Sequence, residues 1–104
     1  MFTKKAAIEK IREYVKLCNE RNIFFKKIIL FGSIAQNTTD ENSDIDVLFV
    51  SDQFSNNTLE NWRALAPVTS KIYDIEPHPY PTENFIKGDP FIDEIKKAGI
   101  EIKV

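Results

Sequence analysis

The chain has 104 residues, 42% hydrophobic and 29% charged, a balance too apolar for a disordered chain and a length suited to one small core. Fourteen Lys and Arg against 16 Asp and Glu leave a formal charge of −2, so adhesion to nucleic acid or an acidic membrane is not expected as the main function. The sequence has no apolar run of membrane-span length, no apolar signal-peptide core near its start, and a lone Cys18 that excludes an internal disulfide framework or a cysteine zinc site.

These features predict one cytoplasmic domain over residues 1–104. The first predicted element is an amphipathic helix from Thr3 to Glu20. Ile8, Ile11, Val15 and Cys18 recur at three- and four-residue intervals, Thr3 supplies a cap, and Asn22 suits a left-handed stop. Lys26 to Phe31 contains an unalternating β-branched and aromatic run, the pattern of a strand buried on both faces. Gly32 and Ser33 end it, Ile34 to Gln36 suit a helical turn, and Asn37 to Ser43 read as a polar loop.

A second strand, Asp44 to Val50, points Asp44, Asp46 and Leu48 to one side and Ile45, Val47 and Phe49 to the other. Asn57 caps a following helix, with Leu59, Trp62, Leu65 and Ala66 as its apolar stripe. Lys71 to Glu76 reads as a third strand closed by Pro77 and Pro79, and Thr82 starts a short turn ending near Phe85. Asp89 and Pro90 look like the cap and first residue of a last helix stopped by Gly99. Ile100, Ile102 and Val104 then alternate as a half-exposed strand. Interleaved strands and helices give an α/β (α+β) class: a short mixed sheet, helices mainly on one side, carboxylates at one rim.

Burial does not explain the two carboxylates in the second strand. Period-two geometry puts the Cβ atoms of Asp44 and Asp46 about 6–7 Å apart on one side, where like charges repel unless solvent or a cation neutralises them. A magnesium ion does so with oxygen ligands, keeping other positions for water and substrate phosphates. Gly32 allows close backbone approach, and a helical turn starting at Ser33 would offer free amides to an anion. Asp74 and Glu76 share a side of the third strand, and either could complete a three-carboxylate cluster of the two-metal type.

Gly32-Ser33, ten intervening residues (34–43), then Asp44-Ile45-Asp46 resembles the nucleotidyltransferase superfamily that includes the DNA polymerase β palm. The whole chain looks like a minimal nucleotidyltransferase, the small form paired with HEPN-domain proteins in toxin–antitoxin systems. The resemblance implies that Gly32 and Ser33 hold the outer phosphates of a triphosphate and that Asp44 and Asp46 are magnesium ligands. It favours Glu76 as the third carboxylate, binding a second magnesium or taking the acceptor's proton, with Asp74 in reserve. The implied reaction transfers a nucleoside monophosphate, AMP from ATP, to a hydroxyl on a partner protein such as a small helical HEPN toxin.

Two positions depart from the family pattern: Asn37 replaces a second loop glycine, and Ile34 and Gln36 stand where relatives carry arginines. The rival reading is therefore a catalytically idle antitoxin that neutralises its partner by binding alone. A chain this small leaves part of the site to a partner or to self-association. His78, between Pro77 and Pro79, reads as a packed loop residue rather than an acid–base group. Trp62 and the phenylalanines are at core or interface spacing rather than forming a base-stacking platform, and Cys18 is a small buried hydrophobe.

Overall fold

The computed structural model describes residues 3–36 and 44–103. The expected polar loop Asn37 to Ser43, with Asn37 at the place of the relatives' second glycine, lies outside them, as does Val104. Helix α1 spans Lys4–Glu20; the Thr3 hydroxyl accepts the Ala6 N–H at its start, and Asn22 takes φ 63° just beyond its end. Strand β1 (Lys27–Phe31) runs into the single turn α2 (Gly32–Ala35). Strand β2 (Ile45–Ser51), helix α3 (Thr58–Thr69) and strand β3 (Ile75–Pro81) form a parallel crossover unit. Helices α4 (Thr82–Lys87) and α5 (Pro90–Ala98) and the two-residue strand β4 (Ile100–Glu101) follow.

The sheet is mixed, in the order β3-β2-β1-β4: β2 pairs antiparallel with β1 and parallel with β3, and β4 pairs antiparallel with β1. Both faces are covered, which is why β1 and β2 lack a polar face. Ile28, Leu30, Ile45, Val47 and Phe49 pack under α1 and α3, with the Tyr14 and Phe49 rings stacked at 4.9 Å. Ile29, Leu48 and Val50 meet Ile92 and Ile95 of α5 on the opposite face. The two long helices thus share a side as expected, but the second face is capped as well, and that cap matters to the site.

Two readings of the sequence change. The third strand starts and ends later than predicted, and it contains Pro77, Pro79 and Pro81 rather than stopping at them. β3 is a sheet edge, and the prolines fall on alternate residues, so their missing N–H groups all lie on the side away from β2. On α3 the buried residues are Asn61, Leu65 and Val68, whereas Leu59 and Trp62 are exposed. Asn61 can be buried on this face because both ends of its amide are bonded: Oδ1 accepts the Ser55 N–H and Nδ2 donates to the Ser55 carbonyl. A buried amide satisfied in this way carries little penalty.

Cys18 is buried on α1, and burial pushes its thiol pKa up to about 12. Native protein at mildly alkaline pH is therefore expected to react with an aromatic disulfide reagent only at the rate of unfolding, and at once in guanidinium. Fast labelling of the native chain would contradict this packing.

Candidate active site

The register of the three central strands builds the site. Phe31 pairs with Asp46 across β1 and β2, and Asp46 pairs with Glu76 across β2 and β3. Partners in a ladder share a face, so Phe31, Asp46, Glu76 and, two residues on, His78 all project to the α5 side. Donor atoms of Asp46, Glu76 and His78 lie within 4.8 Å of one another. Asp44 stands just before β2, exposed, outside this triple but close enough for its charge to act on Glu76.

Gly32 is held at φ +78°, and a Cβ there would overlap the Asp46 carboxylate. The turn after β1 therefore lies directly against the acidic strand, and only a residue without a side chain fits both the backbone angle and the space. Ser33 follows in the same turn, half-buried, while Ile34 points into the core beneath α1. The Ile34 position is thus occupied by packing, so it brings no charge to the turn.

Glu76 sits on the exposed sheet edge. Its pKa is raised first by what burial its carboxyl has, then by the Asp46 charge, against a smaller opposing effect of His78; a hydrogen bond to Asp46 and the Asp44 charge add to the rise. Asp74 does not join the group. It forms an ion pair with Lys10 of α1 at 2.6 Å, at the opposite side of the sheet end. Glu76 thus lies beside Asp46, whereas Asp74 is held against α1.

His78 overturns its sequence reading as a loop residue packed among prolines. It lies in β3 facing the site, with Nε2 3.4 Å from Asp46 Oδ1. The imidazole is held edge-on to Phe31 at 4.9 Å and near Phe91 of α5 at 6.1 Å. The missed signal was alternation itself: once β3 runs through the prolines, Glu76, His78 and Tyr80 must share a face. The α5 cap supplies Phe91, so the second helical layer positions the site.

Oxygen donors on neighbouring strands, with a turn pressed against them, suit a hard divalent cation and phosphate. Comparison with known proteins decides the family. The nucleotidyltransferase domain model matches residues 8–102. The chain belongs to this family. A Methanocaldococcus jannaschii relative, provisionally named as a protein adenylyltransferase, is 35% identical over 79 residues, covering 73% of this chain and 77% of its own length. A Sulfolobus solfataricus structure provisionally named a nucleotidyltransferase superposes with a TM-score of 0.64 at 16% identity, over 90% of this chain and 77% of that one. A toxin–antitoxin structure with AMP-PNP superposes at 0.61 and 19% identity, over 92% and 72%. These likenesses establish the nucleotidyltransferase fold.

Two outcomes follow from the geometry. Gly32→Ala should lose about 1–2 kcal/mol or more of stability, since it combines a left-handed backbone with a clash against Asp46. Denaturant unfolding measures this, and a wild-type midpoint would refute the tight turn. Glu76 is an acid whose pKa is higher in the fold, so the native state keeps the extra proton. Its contribution to stability is present below the ordinary Glu pKa and is lost as pH rises through the raised value. Melting curves without divalent metal should show Glu76→Gln gaining on the wild type across that window; an unchanged difference with pH would contradict the placement.

Proposed function

We propose that this nucleotidyltransferase moves AMP from ATP to a hydroxyl on a partner protein, using Asp44, Asp46 and Glu76 to hold magnesium and Gly32 and Ser33 to hold the outer phosphates. The observation that carries the reading is the closeness of the Gly32 turn to the Asp46 carboxylate, which supports a phosphate position beside a cation position. The residues fit the ion: two carboxylates abreast, with a third just before β2, form an oxygen-rich donor set that repels itself when empty. When bound, divalent metal neutralises the phosphates and fixes their orientation.

The chain's own residues supply the rest. The acceptor oxygen forms a bond to the α-phosphorus as the bond from that phosphorus to the bridging oxygen breaks, and pyrophosphate leaves with the electron pair. Glu76, abreast of Asp46, either completes the metal's oxygen donors or takes the hydroxyl proton. His78 steadies Asp46 from the β3 side through Nε2. The name given to the M. jannaschii relative supports a protein acceptor, and the toxin–antitoxin neighbour with AMP-PNP supports a nucleotide donor and a toxin partner, of which a small HEPN protein is the leading case.

One observation favours a second reading, an antitoxin that acts by binding alone. Ile34 is committed to the core and Gln36 is uncharged, so the turn brings no arginine to the phosphates from these positions. Incubating the chain with α-labelled ATP, magnesium and the protein encoded beside it separates the two. The enzyme labels its partner, and Asp46→Asn lowers labelling about a hundredfold or more, since several kcal/mol of transition-state stabilisation are lost. An unlabelled partner that both forms still neutralise would establish the binder.

A further inference from the structure

We propose that the cleft between β3, α4 and the start of α3 is the acceptor side of the site and takes a polypeptide segment, whose hydroxyl enters past His78. This rests on the transfer reading above and adds to it the place and chemical class of the acceptor. Displacement at phosphorus keeps attacking and leaving oxygens roughly in line. Across the sheet the order is the Gly32–Ser33 turn after β1, Asp46 on β2, then Glu76 and His78 on β3. With pyrophosphate leaving on the β1 side, the attacking oxygen must come from beyond β3.

A cleft of about 370 Å³ opens at that place. His78 lines it and also belongs to the carboxylate group, so the cleft and the acidic site share a wall. Its other walls include Asn56, Trp62, Tyr80 and Asn84. The described lining contains no Lys or Arg and does include Asp89, which accepts from the Ile92 N–H and the Tyr80 hydroxyl. Such a wall repels a phosphodiester backbone, whose binding depends on basic contacts.

The same wall suits a peptide. Trp62 is 38% exposed at the cleft, unusually open for so large an apolar ring, and offers a flat surface with a polar N–H. Asn84 Nδ2 donates to Asn56 Oδ1 at 3.0 Å, which leaves the Asn56 amide N–H groups and the Asn84 side-chain oxygen as a donor and acceptor for main-chain groups. Strand addition to β3 is disfavoured by its three prolines, so side chains rather than a new ladder hold the segment.

NMR titration of the full chain tests this with three probes: magnesium with AMP-PNP, hexapeptides bearing one Tyr, Ser or Thr, and hexauridylate. The peptides should shift Asn56, Trp62 and Asn84, and Trp62→Ala or Asn84→Ala should weaken them by about tenfold. The melting midpoint and the nucleotide-induced shifts at Gly32 and Ser33 report that each variant is folded. Peptides that leave the cleft unshifted while AMP-PNP moves Gly32 and Ser33 overturn the acceptor cleft alone. Hexauridylate displacing the peptides assigns the cleft to RNA and overturns it too, as does AMP-PNP shifting the cleft itself. Nucleotide that leaves Gly32 and Ser33 unmoved removes the transfer reading and this inference with it.

Discussion

Two carboxylates side by side on adjacent strands are an unfavourable arrangement, and the fold holds them there. The parallel pairing of β2 with β3 sets Asp46 opposite Glu76, and neither side chain can turn to the other face without slipping the whole register. That register is fixed by burial elsewhere: Ile45, Val47 and Phe49 must face α1 and α3 while Leu48 and Val50 face α5. The core therefore supplies the free energy that keeps like charges together; the pKa of Glu76 is raised first by its burial and then by the Asp46 charge. A cation held between the two carboxylates would relieve their repulsion.

The second constraint is steric. Gly32 is pressed against the Asp46 carboxylate, so the turn after β1 and the acidic strand form one unit. Phe31, the residue before the turn, contacts the His78 ring, and Phe91 from α5 contacts both. Three strands and one helix converge on a few ångströms of space. A chain of this size can do so because every element entering the site also completes one of the two cores.

Much of this was legible from the amino acids. The α1 cap at Thr3, the left-handed Asn22, the Asp89 and Pro90 start of α5 and the sidedness of β2 all follow from local rules with single solutions. Gly32 with Asp44 and Asp46 marked the family. What local rules missed came from long-range partners. Three prolines are tolerated in β3 only because it is a sheet edge, which no local pattern reveals, and the alternation of His78 with Glu76 is visible only once the strand runs through them. Hydrophobicity ranks Trp62 above Asn61 for the buried face, whereas the Ser55 backbone bonds the Asn61 amide there and Trp62 stands exposed at the cleft. Strand alternation alone puts Asp74 and Glu76 on one side; they differ because the register sets Glu76 beside Asp46 while Asp74, just before β3, pairs with Lys10.

The central claim is that Asp46 and Glu76, with Asp44, hold a divalent cation against a triphosphate seated on the Gly32–Ser33 turn. Anomalous diffraction from crystals soaked with manganese and AMP-PNP measures this directly. A manganese peak is expected between the Asp46 and Glu76 carboxylates, with phosphate oxygens completing its shell beside Ser33. Nucleotide bound with no such peak, or with its phosphates away from that turn, would contradict it.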